Sequence, residues 1–104
     1  MNKDEIIKKG LPSFCTANFD VLKIIMKFSK IHNLPVLIEC TSNQVNQYGG
    51  YTGLTPKNFK LKIDEIRKKI KLSRKQILLG GDHLGPLPWK NLAENKAMIN
   101  AKIL

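Results

Sequence analysis

Ile77-Leu78-Leu79-Gly80-Gly81-Asp82-His83-Leu84-Gly85-Pro86 is the stretch around which this chain is organised. The apolar run Ile77-Leu78-Leu79, within a strand read from Gln76 to Leu79, ends in paired glycines and then delivers adjacent acid and imidazole side chains. Apolar runs of this kind, bounded by turn residues, belong to strands buried in parallel sheets. In α/β folds ligands bind at the carboxyl ends of such strands, so Asp82 and His83 fall at the rim of the predicted site. The glycines allow close approach of backbone or ligand, and Gly85-Pro86 turns the chain away.

The same pattern recurs upstream. Val36-Leu37-Ile38-Glu39-Cys40 reads as a strand buried on both faces, and Ser13-Phe14-Cys15-Thr16 as a brief one. Glu39 interrupts the apolar run, so its carboxylate either faces the site or is paired with a cation inside the fold. Asn18 can cap a helix from Phe19 to about Ile31, with Val21, Leu22, Ile25, Phe28 and Ile31 on the buried face and Lys23, Lys27 and Lys30 opposite. His32-Asn33-Leu34-Pro35 ends that helix, and His32 is expected to interact with its last carbonyls. Thr55 caps the next helix and Pro56 takes its first position. It is predicted to run to about Leu72, with Phe59, Ile63, Ile66 and Ile70 as its apolar stripe. Asp4 to Lys9 forms a short helix anchored by Ile6 and Ile7, and Asn91 or Asn95 caps a last helix containing Ala97, Met98, Ala101 and Ile103.

A helix followed three times by strand and helix is the α/β pattern with a parallel sheet. A closed barrel of eight strands needs at least ~200 residues. The 104 residues here are therefore expected to be one partial domain, the first three βα units of a (β/α)8 TIM barrel, with hydrophobic strand edges left open.

Hydrophobic residues make up 42% of the chain and charged residues 25%, which argues for a packed soluble domain and against disorder. No apolar run reaches the ~18 residues of a membrane span, and the reading is cytoplasmic. Cys15 and Cys40 lack zinc or redox spacing and are expected to be reduced, partly buried thiols. The formal net charge of +10 raises the question of nucleic acid. It is discounted because the excess is lysine spread over every helix, with arginine only at Arg67 and Arg74.

Two segments carry the chemistry. Thr41 to Leu54 is too long for a simple connection, and its hydroxyls and amides suit a polyhydroxylated ligand. The alternative is a solvated loop whose polar groups satisfy their own backbone. Asp82 and His83 can act as a proton-transfer acid or base beside a metal ligand, or can serve the loop structurally. The chain alone offers too few ligands for a catalytic zinc, and it has no phosphate-binding P-loop or dinucleotide fingerprint.

Val36-Leu37-Ile38-Glu39, Thr41-Ser42-Asn43-Gln44-Val45-Asn46-Gln47, Gly49-Gly50-Tyr51-Thr52-Gly53, Thr55-Pro56 and Ile77 to Pro86 closely resemble the non-catalytic subunit family of class II tagatose-bisphosphate aldolase. The resemblance covers the chain from Ser13 to about Trp89 and implies a (β/α)8 barrel of the class II aldolase type. It implies a role in carbohydrate breakdown, of galactitol or N-acetylgalactosamine, supporting the activity and stability of a separate zinc-dependent catalytic subunit. By the same resemblance Asp82 is the counterpart of a proton-transfer acid and His83 of a zinc ligand. Glu39, Ser42, Asn43, Gln44, Asn46, Gln47 and Tyr51 are expected to contact a sugar phosphate. No cofactor is expected on this chain by itself, with zinc in the complete assembly. The rival readings are a sugar-phosphate epimerase acting on tagatose or fructose phosphates and an inactive truncated product. Some family members carry a tagatose-6-phosphate kinase label, for which no nucleotide motif is present here.

Overall fold

In the computed structural model, which describes residues 3–104, helices and strands alternate along the chain. The order is α1 (Lys3–Lys9), β1 (Ser13–Cys15), α2 (Phe19–His32), β2 (Val36–Cys40), α3 (Pro56–Lys69), β3 (Ile77–Gly81) and α4 (Glu94–Ile103), with short 3-10 turns at Arg74–Gln76 and Leu87–Trp89. The expected anchors Ile6 and Ile7 have side chains outside the described residues.

Local chemistry sets the helix ends. Asn18 is extended, and its Oδ1 accepts the N–H groups of Asp20 at 3.0 Å and Val21 at 3.2 Å, which satisfies two donors of the first turn of α2. Asn33 closes that helix in the left-handed region at φ 49°. The His32 ring packs on Phe28, with centroids 4.5 Å apart, rather than on the last carbonyls as expected. At α3, Thr55 Oγ1 accepts the Asn58 N–H at 3.3 Å and Pro56 occupies the first turn. That helix stops at Lys69, short of the expected Leu72, because Lys71 turns left-handed and the Leu72 N–H returns to the Arg67 carbonyl. Neither Asn91 nor Asn95 caps α4. Ala93 stands at the cap without a side-chain bond, and Asn95 Oδ1 accepts the Lys96 N–H inside the first turn.

The three strands form one parallel sheet in the order β1-β2-β3. Cys15 pairs with Glu39, and Glu39 in turn with Gly80. β3 takes in Gly80 and Gly81, two residues beyond the predicted strand, because both continue the ladder along Glu39 and Cys40.

Val36, Ile38, Cys40 and Ile77 form the core with Leu22, Ile25 and Met26 of α2 and Phe59, Ile63 and Ile66 of α3. Leu22, Met26, Ile38 and Ile63 are essentially sealed from solvent, and burial of each such side chain stabilises by about 1.5–3 kcal/mol. The expected stripe of α3 is the one that packs, with Ile70 partly buried beside it. On α2 the buried face is Leu22, Ile25, Met26 and Ser29, whereas the expected Val21, Phe28 and Ile31 are exposed. The expectation that β2 is buried on both faces is also corrected. Its burial alternates, with Leu37 and Glu39 only half-buried. The helices cover one side, and the short dimension of 17 Å matches a sheet with a single helix layer. Among the described residues no helix is long and apolar enough to cross a membrane.

Candidate functional site

Strand alternation puts Ser13 and Cys15 of β1, Glu39 of β2 and Gly80 of β3 on the side away from the helices. Ser13 Oγ donates to Glu39 Oε2 at 2.6 Å. A Cβ at Gly80 would stand 3.3 Å from Glu39 Oε1, so the glycine leaves room for the carboxylate to lie across β3. Among the described residues Glu39 has no ion pair, and its partner is the Ser13 hydroxyl on the same face of the sheet.

Asp82 follows directly. Its N–H donates to the Cys40 carbonyl at 3.0 Å, which carries the ladder one residue past β3 and presents its carboxylate at the rim. His83 Nε2 lies 3.4 Å from Asp82 Oδ1, and its side chain is 84% exposed. The backbone of His83 is left-handed at φ 50°, an unfavourable conformation for a residue with a Cβ. Cys15 completes the cluster. Its Sγ donates to Gln44 Oε1 at 3.7 Å, and its pKa is raised by desolvation, by a hydrogen bond with Asp82 and by the charges of Asp82 and Glu39. Cys15 is exposed and Cys40 buried, and both are free thiols.

The long loop over residues 41–54 is pinned to this rim. Ser42 Oγ lies 3.1 Å from the carbonyls of both His83 and Gly85. Asn46 is buried, donating to the Ser42 carbonyl at 2.8 Å and accepting the N–H groups of Tyr48 and Gly50. Gly50 sits at φ 55°, where any Cβ would collide with the Gln44 carbonyl, so the turn requires glycine. Gln44 Oε1 accepts the Thr41 N–H at 2.8 Å, and Gln47 Nε2 donates to the Asn100 carbonyl at 2.9 Å. Asn43 and Tyr51 instead line a groove with Tyr48, Pro88 and Trp89. Of the expected contact residues, then, Ser42, Gln44, Asn46 and Gln47 have polar atoms occupied in holding the loop. Glu39 and Gln44 sit at the rim with Asp82 and His83.

Residues 1–104 match the family described as D-tagatose-1,6-bisphosphate aldolase subunit GatZ/KbaZ-like. The chain belongs to that family. A solved structure, the probable tagatose 6 phosphate kinase from Sinorhizobium meliloti 1021, is 49% identical and superposes with a TM-score of 0.85. The match covers 90% of this chain and 24% of that protein, so the chain spans about a quarter of that relative's length.

Resemblance to the class II aldolases raises the question of a zinc site in this GatZ/KbaZ-like chain. Among the described residues no group of three or more His, Cys, Asp or Glu side chains could hold a metal ion. A catalytic zinc takes three protein ligands, so these residues do not fit one by themselves. Sequence reasoning overlooked Ser13 and Cys15 as partners of Glu39 and Asp82. The available signal was period two, which sets positions 13 and 15 on one face, but only the register of β1 against β2 places that face beside Glu39.

Proposed function

We propose that this chain supplies the first three βα units of a (β/α)8 barrel subunit that supports a separate, zinc-dependent catalytic subunit of tagatose-bisphosphate aldolase. Glu39, Gln44, Asp82 and His83 form part of a sugar-phosphate cleft, and Ser42 and Asn46 hold the loop over it. The observation that carries this reading is the convergence of Glu39, Asp82 and His83 at the carboxyl ends of parallel strands, on the face without helices. Asp82 is suited to proton transfer at a sugar hydroxyl or carbonyl, while His83 offers an exposed imidazole beside it. Family membership supports the subunit role.

The test is aldol cleavage of tagatose bisphosphate by the catalytic subunit with the complete supporting subunit carrying Asp82→Asn and His83→Ala. Stimulation should fall by about 100-fold or more if the pair moves protons. Unchanged stimulation, with the variant folded and associated, would remove both residues from the mechanism.

A further inference from the structure

We propose that the groove between the 41–54 loop and the Leu87–Trp89 turn is a stacking subsite for the ring of a sugar, accepting its uncharged portion rather than its phosphate. This rests on the sugar-phosphate reading above and extends it to residues outside the Asp82 and His83 rim.

The groove is open to solvent, has a volume of about 590 Å³ and is lined by Asn43, Tyr48, Tyr51, Pro88 and Trp89 among others, a volume within the range of small-molecule sites. Tyr48 meets Trp89 edge to face, with centroids 6.2 Å apart and planes at 77°. The Tyr48 hydroxyl donates to Asn100 Oδ1 at 3.1 Å, and its N–H is held by the buried Asn46. The aromatic corner is therefore fixed before any ligand arrives, which lowers the ordering cost of binding. Tyr48 is 70% exposed and Tyr51 74%, so both rings keep most of their surface open to a ligand. A sugar ring offers a face of C–H groups, weakly positive, that complements the negative face of an aromatic ring.

Asn43 adds the polar half. It is half-buried, and its side-chain amide makes no hydrogen bond among the described residues. It can offer an acceptor and two donors to neighbouring hydroxyls. Among the described residues no lysine, arginine or histidine lines the groove, so a phosphate would find no cation from them there, and a purely apolar ligand would leave Asn43 unpaired.

Trp89 is the single tryptophan, so its emission reports the site directly. The full chain should be titrated with D-tagatose, with galactitol and with inorganic phosphate, its fold followed by circular dichroism. D-tagatose should give a saturable shift in the millimolar range and phosphate none. The open-chain galactitol, which lacks a ring face, should bind at least about tenfold more weakly. Asn43→Ala and Tyr51→Ser, both near the surface, should each weaken D-tagatose binding by about tenfold. In the complete subunit the same readout comes from the Trp89 indole N–H resonance, identified by its loss in Trp89→Phe. No response to D-tagatose, an equal response to phosphate, or unaltered binding in both variants would overturn the subsite. A silent Trp89 with intact aldolase stimulation removes the subsite and leaves the supporting role. A responding Trp89 with stimulation unaffected by Asp82→Asn and His83→Ala keeps the subsite and removes those two residues from the mechanism.

Discussion

The Ser13 hydroxyl donates to Glu39 Oε2 at 2.6 Å, joining β1 to β2 through side chains above the shared ladder. Glu39 has no cation beside it among the described residues, so this bond is the main compensation for its partial desolvation. Hydrogen bonds to a charged group contribute about 1.5–3 kcal/mol when buried, and solvent access at Ser13 reduces that. Ser13→Ala is therefore expected to lower stability by about 1 kcal/mol in urea titration. Glu39→Gln, which keeps an acceptor for Ser13, should cost less. Equal losses would mean that the serine contributes nothing specific.

Cys15 provides a chemical readout of the same cluster. Desolvation raises its pKa first, followed by the hydrogen bond with Asp82 and the charges of Asp82 and Glu39. All of these disfavour the thiolate, the form that reacts with alkylating agents. Asp82→Asn removes one of those charges, so the thiol should ionise more readily and react several-fold faster with iodoacetamide at neutral pH, as followed by mass spectrometry. A rate unchanged by the substitution would place Asp82 too far from Cys15 to matter.

Cys40 yields a prediction for alkaline stability. Burial, with a smaller contribution from Cys15, pushes its thiol from 9.0 up to about 12. The folded chain then keeps a proton that the unfolded chain releases. The associated stability is fully present below pH 9 and is lost as pH rises toward 12. The expected slope is about 1.4 kcal/mol per pH unit in that window. Lysines and tyrosines also titrate there, so the comparison that matters is with Cys40→Ala. Urea midpoints of that variant should decline less steeply between pH 9 and 11 than those of the parent chain, and parallel declines would contradict the buried thiol.

The fold was largely legible because each strand has an apolar run bounded by turn residues and each long helix a capping residue that the structure uses. Asn18, Thr55 and Pro56 act where the sequence placed them. The face of α2 was not legible. Its apolar residues are numerous enough to make two overlapping stripes, and periodicity alone cannot choose between Val21, Phe28, Ile31 and Leu22, Met26, Ser29. Ser29 fixes the orientation through contacts outside its own helix: its hydroxyl donates to the Leu34 carbonyl just beyond the helix end, and its own carbonyl accepts Gln76 Nε2, far along the chain, at 3.1 Å. The placement of Glu39, Asp82 and His83 at strand ends was legible, because Glu39 interrupts an apolar run and Asp82 and His83 follow one that closes in paired glycines. Ser13, Cys15 and Trp89 were missed, since their positions depend on strand register and on how one loop folds over another.

Lys71 offers a test of how α3 ends. The residue is left-handed at φ 57°. Its N–H donates to the Lys68 carbonyl at 3.1 Å, and the following Leu72 N–H reaches the Arg67 carbonyl at 3.0 Å. That pairing is a Schellman turn, in which glycine is the favoured residue at the left-handed position. The turn is well anchored, because Leu72 is 2% exposed and Arg67 Nη1 donates to the Leu72 carbonyl at 2.9 Å. Arg67 and Arg74 also converge on Asp64, at 3.2 Å and 3.8 Å. Lysine thus adopts a backbone conformation that costs roughly 1–2 kcal/mol for a residue with a Cβ, while its own side chain is exposed. Lys71→Gly relieves that strain, partly offset by the greater freedom of glycine in the unfolded chain. A net gain of about 0.5–1 kcal/mol should raise the thermal midpoint by about 2–8 °C for a domain of this size. Lys71→Val, branched at Cβ and less tolerant of positive φ, should lower it. If glycine left the midpoint unchanged while valine lowered it, the strain at Lys71 would be smaller than its backbone angle implies, and the anchoring by Leu72 and Arg67 alone would determine where α3 stops.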